Sequence, residues 1–204
     1  MKISKIIFTL FVTLMCVSCG TTNQATTTSQ QSTEITEGND VILLAEADPI
    51  RRAYGDGTHF QEATARRAAE ANARAALASA IQTAVIQSFD AFAGSISATS
   101  SENGIANLLV EEQYAQLKDA ITTISKECVT NTVAIKIQRY KQDTQYKIYV
   151  CLEYKEDVAS LAKTVESKLK QTIPEEVKES IAFEQFLHEK KMEKAFANYK
   201  PIAE

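Results

Sequence analysis

Seven residues, Ala65, Ala69, Ala73, Leu77, Ile81, Val85 and Phe89, recur at every fourth position, and this stripe constrains the fold more than any other feature of the chain. Side chains four apart share one face of an α-helix. The stretch from Gln61 to about Phe92 is therefore predicted as one helix of about thirty residues, roughly 45 Å long. The stripe is graded, with alanine first and larger side chains later. Its first half can approach a sheet closely, while its second half fills a deeper core. A second face carries Glu62, Arg66, Glu70 and Arg74 at the same spacing, a ladder of opposite charges suited to solvent. Thr58 and Gln61 have capping-box spacing and predict where the helix begins.

The flanking segments supply the rest of a mixed architecture. Ile50 to Thr58 reads as a strand running into a turn at Gly55-Asp56-Gly57. After the helix comes a predicted Gly/Ser loop from Gly94 to Gly104. Val110, Tyr114, Leu117, Ile121, Ile124 and Cys128 then alternate steps of four and three, which marks a second amphipathic helix. Val133, Ile135 and Ile137, then Ile148, Val150 and Leu152, alternate with period two around the polar Gln142-Asp143-Thr144-Gln145 and predict a β-hairpin. The expected register sets Ile137 against Val150, Ile135 against Leu152 and Lys136 against Cys151. Val158, Leu161, Val165 and Leu169 indicate a third helix. Thr172-Ile173-Pro174-Glu175 reads as an N-cap with Pro at the first helical position, opening a charged helix to about Tyr199. The apolar residues of that last segment, among them Val177, Ile181, Phe183, Phe186, Leu187, Met192 and Phe196, spread over more than one face. They suit packing on the domain itself and on a partner.

The N-terminal segment carries an address. Lys2 and Lys5 precede a twelve-residue apolar stretch, Ile6 to Val17, too short to span a bilayer, which takes about 20 residues. It ends at Cys16-Val17-Ser18-Cys19-Gly20, which resembles a bacterial lipoprotein cleavage box: a small residue stands directly before the cysteine that is lipidated. Cys16 occupies a position where an aliphatic residue is usual; taking Cys16 itself as the acceptor would put the bulky Met15 at the cleavage edge. The expectation is a signal peptide over 1–18, removed in the mature protein, and a covalent lipid at Cys19 that attaches the protein to a membrane. Stable attachment takes two or more acyl chains. The formal charge of −4 becomes −6 once Lys2 and Lys5 are removed, so the lipid rather than surface charge must do the anchoring. Gly20 follows the cysteine where Asp would favour inner-membrane retention, which points to the outer membrane, with the body facing the periplasm. Residues 19–46 are predicted to be the lipidated cysteine and a Thr/Ser/Gln tether, with a short apolar run from Val41 to Ala45 that reads as a strand or packing arm. The folded domain is expected over 47–170 and the charged helix over 171–204.

The strand with Gly55-Asp56-Gly57, the pattern Ala65-x₃-Ala69-x₃-Ala73-x₃-Leu77, a second helical stretch and an alternating apolar hairpin together resemble the LPP-twenty lipoprotein family. A similar module occurs at the N-terminus of a flagellar assembly protein. The resemblance covers roughly residues 47 to 165. It implies an α+β fold in which a small antiparallel sheet curls around one long Ala-rich helix, here with additional helices at the C-terminus, and an envelope location; it brings no catalytic residues.

Chemistry is sparse. The acidic balance excludes a basic nucleic-acid surface. Two His and four Cys, scattered along the chain, do not form a metal-ligand pattern. No G-x-S-x-G elbow, Walker loop or H-E-x-x-H is present, so no cofactor is expected and the protein is read as a non-enzyme. Two clusters stand out. Gly55-Asp56-Gly57-Thr58-His59 could bind an anion at a helix start or move a proton between Asp56 and His59, although a tight turn capped by Thr58 accounts for the same residues. Five of the six arginines lie between Arg51 and Arg74, and Arg51, Arg52 and Arg67 with Gly55 and Gly57 form a candidate cradle for a glycan or lipid headgroup. Arg66 and Arg74 already have carboxylates four residues away. Cys128 and Cys151 remain after processing; an oxidising compartment would permit a disulfide, but the hairpin register leaves Cys128 beyond its end. The function expected is that of an envelope interaction or assembly component acting on a protein partner or by self-association, with a binding module for an anionic envelope ligand as the alternative.

Overall fold

The computed structural model describes residues 37–99, 111–175, 186 and 191–200. The signal peptide, Cys19, most of the proposed tether, Val110 and much of the predicted C-terminal helix lie outside the described residues. In chain order the elements are α1 (Asn39–Glu46), β1 (Arg52–His59), α2 (Glu62–Thr99), α3 (Glu111–Cys128), β2 (Thr132–Gln142), β3 (Gln145–Tyr154), α4 (Val158–Thr172) and α5 (Lys191–Ala197). The fold is α+β, with a three-stranded antiparallel sheet in the order β1-β3-β2.

α2 governs the layout. Its 38 residues make a rod of about 57 Å, and the graded stripe performs two tasks along it. Ala65, Ala69 and Ala73 are fully buried against Ile148, Val150 and Leu152 on one face of the sheet. Further along, Leu77, Ile81, Val85, Phe89 and Phe92 enter a second cluster with Leu117, Ile121 and Ile124 of α3 and Leu161, Val165 and Leu169 of α4. Helix α2 continues to Thr99, so residues 94–99 of the expected loop are helical, and the rest of it lies outside the described residues; a single glycine costs a helix only about 1 kcal/mol.

The start of α2 also differs from expectation. Thr58 belongs to β1, which runs through Gly55-Asp56-Gly57 to His59, and the helix opens at Glu62. The glycines are therefore strand residues rather than a turn, and their reason is packing. A Cβ on Gly57 would lie 2.7 Å from the Ala69 amide nitrogen, and one on Gly55 would lie 2.9 Å from the Asn72 carbonyl carbon, well inside van der Waals contact. Glycine on the strand and alanine on the helix let the two backbones come together.

The hairpin forms as expected, with Asp143 in the left-handed region at φ 51° and Ile137 opposite Val150 and Lys136 opposite Cys151. Leu152, however, faces Ala134, because the register shifts between Ala134 and Lys136. Ile135 is the extra residue of a β-bulge. Without the bulge, Ile135 and Ile137 would share a face. With it, Ile137 packs under α2 while Ile135 joins Tyr149, Cys151 and Tyr140 on the opposite face.

That opposite face is covered by α1, whose Val41 and Ala45 are buried against Tyr149 and Cys151. Of the two readings of Val41 to Ala45, strand or packing arm, the structure shows a packing arm, helical in form. Gly38 N–H donates to the Tyr140 hydroxyl (3.2 Å), and Lys147 pairs with Glu37 (3.4 Å), which ties the entrance of α1 to the hairpin. At the other end of the chain, Thr172 closes α4 instead of capping a new helix, and Ile173 is its extended C-cap, with Pro174 where a helix commonly stops. Three described residues after Pro174 belong to the same core: Phe186 stacks edge-on against Phe89 with centroids 5.4 Å apart, and Met192 and Phe196 are buried in the same cluster.

Candidate functional site

β1 positions Arg52, Gly55 and Gly57, and side chains alternate along it; Arg51 directly precedes the strand and Arg67 lies on α2. Ala53, Gly55 and Gly57 face α2 and are buried, while Tyr54, Asp56 and Thr58 are exposed on the other side. On the α2 side Gly55 and Gly57 are packed against the backbone of the turns that carry Ala65, Ala69 and Ala73, which leaves no room there for a ligand.

Arg51 and Arg52 converge on one carboxylate. Glu153, opposite Arg52 in the ladder, accepts from Arg51 (2.6 Å) and from Arg52 Nε (2.8 Å). Asp48 stands 3.3 Å from Arg51 Nε, although that nitrogen lacks a hydrogen bond. Partial burial alone would raise the Glu153 carboxyl, but the hydrogen bonds and charges of Arg52 and Arg51 outweigh it and hold the group below its ordinary range. Two cations are thus matched by two carboxylates. Arg67 is exposed on α2, two residues from both Ala65 and Ala69 and so on the side of the helix turned from the sheet. The five residues of the arginine and glycine cradle are therefore not brought together: two are neutralised, two are covered and one stands on another face.

The Asp56 and His59 pair fares no better. Three residues apart on a strand, they point to opposite faces; His59 Nδ1 accepts from the Gln61 amide (3.0 Å), which makes it part of the bend into α2. In the charge ladder, Glu70 pairs with Arg66 (2.9 Å) and Arg74 (3.6 Å), whereas Glu62 reaches across to Arg139 on β2 (3.2 Å). Cys128 and Cys151 are free and buried in separate clusters on opposite faces of the sheet. Among the described residues, no three His, Cys, Asp or Glu side chains gather to hold a metal, and no helix is long and apolar enough to cross a membrane.

What the structure does assemble at this place is an open sheet edge. Among the described residues β1 pairs on one side only, with the central strand β3. A groove follows the free side, bounded by Ala45, Glu46 and Pro49 at the end of α1 and by Asn72 and Ala76 of α2. Tyr54 stands there 40% exposed. Asn72 donates to the outward carbonyl of Asp56 (2.8 Å). Sequence reasoning missed Tyr54, Asn72 and Glu153. Asn72 was detectable as the polar residue four from both Ala68 and Ala76 in a run of alanine; Glu153 became visible only with the register of β3.

No protein-family model, curated protein or solved structure matches this chain. The fold and the site define an α+β domain in which Arg51 and Arg52 are internally paired and β1 and β2 are the two outer strands of the sheet.

Proposed function

We propose that the protein is a lipoprotein of the cell envelope, attached to the outer membrane through Cys19 and facing the periplasm, where it acts as a non-enzymatic interaction or assembly component. The observation that carries this reading is the leader: Lys2, Lys5, the apolar run Ile6 to Val17 and the small-residue step Ser18-Cys19-Gly20, followed by a polar stretch and then by a compact α+β domain. Several features of the domain favour contact with another macromolecule over chemistry on a small one. Arg51 and Arg52 are neutralised by Glu153 and Asp48, Gly55 and Gly57 are buried under α2, and Leu43, Tyr54, Phe60 and Val133 are large apolar side chains left exposed. The internal pairing of Arg51 and Arg52 also weighs against the alternative of an anionic-ligand module built on them.

The test is fractionation of cells making the full-length chain with and without Cys19→Ser, combined with fatty-acid labelling and in-cell crosslinking. The expected result is labelled protein in the outer membrane with a discrete crosslinked species, and an unlabelled, unanchored Cys19→Ser protein. Persistent label and membrane association in Cys19→Ser would overturn the anchor; only unlinked protein at native abundance would overturn the interaction role.

A further inference from the structure

The chain leaves the described domain toward Cys19 at one particular place. Glu37 is fixed to the hairpin end of the sheet: it pairs with Lys147 of β3 (3.4 Å) and accepts from the Gln142 side-chain amide (2.9 Å), while Gly38 N–H donates to the Tyr140 hydroxyl (3.2 Å). The bend from β1 into α2 lies at the same end, because His59 stands opposite Tyr146 in the ladder. Phe60 occupies that bend. It is 63% exposed, more than any other large apolar side chain among the described residues, and its ring stacks on His59 with centroids 4.1 Å apart. Tyr146 in turn carries the Lys141 ammonium 5.5 Å from its ring centre. Charge at this end balances. Lys147 is matched by Glu37 and Arg139 by Glu62, and Lys141 stands two residues from Asp143 in the hairpin turn. The net negative charge of the chain therefore resides elsewhere, so an anionic leaflet does not repel this end as it repels the rest of the body.

We infer that this end of the domain, led by Phe60, rests on the bilayer that holds the Cys19 lipid, with the Phe60 ring in the interface and Tyr146 and Lys141 at headgroup level. The inference rests on the lipoprotein reading proposed above and adds to it the surface that meets the lipid. Connectivity carries it. Eighteen peptide units join Cys19 to Glu37, and a polar coil of that length has an end-to-end distance of about 25 Å. The hairpin end is thus delivered to the membrane, whereas the other end of β3 is roughly 35 Å from that point of attachment. A tether this short gives an effective concentration in the millimolar range, so a contact with a dissociation constant of about 1 mM is populated. An aromatic ring with a tyrosine and a lysine beside it supplies a weak contact of this kind: binding grows with the apolar area buried, and the apolar bodies and polar tips of Tyr and Lys suit the headgroup layer. The other exposed apolar side chains do not share this position. Leu43 lies on α1, Tyr54 toward the opposite end of β1 and Val133 at the opposite end of β2.

The experiment uses the protein purified from cells with its lipid and reconstituted into vesicles of phosphatidylethanolamine and phosphatidylglycerol that contain spin-labelled lipid. A polarity-sensitive fluorophore is attached at Thr144→Cys, in the hairpin turn, or separately at Lys155→Cys, just beyond the other end of β3; both positions are exposed. The native Cys128 and Cys151 are buried and leave the introduced thiol as the one that reacts. The label at position 144 is expected to be quenched about fivefold more strongly than the label at 155. Phe60→Glu, at an exposed site, should remove that difference, and Phe60→Trp should keep it, because an interfacial contact follows the apolar area of the side chain. In protein that stays with the vesicles, equal quenching at both positions, stronger quenching at 155, or undiminished quenching at 144 in Phe60→Glu each overturns the inference and leaves the anchor standing. A blue-shifted but unquenched label at 144 shows a second copy covering this end and overturns it as well. Protein that carries no fatty acid and does not stay with the vesicles overturns the anchor, and this inference with it.

Discussion

Gly55 of β1 lies directly beneath the Ala69 carbonyl of α2, so close that a methyl group on Gly55 would overlap that oxygen. The neighbouring atoms are helix backbone, which cannot swing aside as a flexible side chain could. Gly55→Ala is therefore expected to lower stability by about 3 kcal/mol, as overpacked sites do. Gly57→Ala should act alike through Ala65 and Ala69. Urea unfolding followed by circular dichroism measures both, and a loss under about 0.5 kcal/mol in either would show that α2 can lift from the sheet at little cost.

Phe186 is buried between Phe89 and Phe92, with centroids 5.4 and 5.7 Å away. Phe186→Ala should cost about 3–4 kcal/mol, the usual range for emptying an aromatic site. Removal of residues 174–204 exposes the same two rings together with the partners of Met192 and Phe196. The truncated chain is expected to lose its cooperative thermal transition. A truncated protein that melts as sharply as the full chain would mean that these contacts contribute little.

Glu153 links acid stability to the Arg51 and Arg52 pair. Its carboxyl is held below the ordinary range in the folded state, so it binds fewer protons there than in the unfolded chain. The stabilisation is fully present above the unfolded carboxylate value of about 4.3 and is lost as pH falls through the lower folded value. Glu153→Gln should lower stability at pH 7 by about 2 kcal/mol, the scale of charge-assisted hydrogen bonds, and flatten the pH dependence below about pH 4.5. Comparison of urea midpoints for the two proteins between pH 3 and 7 checks both effects.

Burial pushes the thiols of Cys128 and Cys151 each up to about 11, so almost no thiolate exists at neutral pH. Both should resist iodoacetamide in the native protein. After denaturation without reductant, both should alkylate, each gaining one carbamidomethyl group in mass spectrometry of the peptides that contain them. Absence of that shift would reveal a disulfide, which their placement on opposite faces of the sheet argues against.

Local periodicity accounts for what the sequence by itself determined. The stripe from Ala65 to Phe89, the second stripe ending at Cys128, the hairpin around Asp143 and the helix from Val158 were all legible, because each pattern repeats within one element and the backbone geometry of that element sets its period. The grading of the first stripe even indicated which half of α2 meets the sheet. Tertiary structure decided the rest. Gly55 and Gly57 read locally as a turn, and only the approach of α2 makes them strand. Ile135 and Ile137 read as one face, and only the bulge opposite β3 separates them. Arg51 and Arg52 looked like free cations until the register brought Glu153, about a hundred residues later in the chain, to their guanidinium groups. In each case the deciding contact joins residues far apart in sequence, where steric fit and charge pairing leave no periodic trace for a single strand or helix to display.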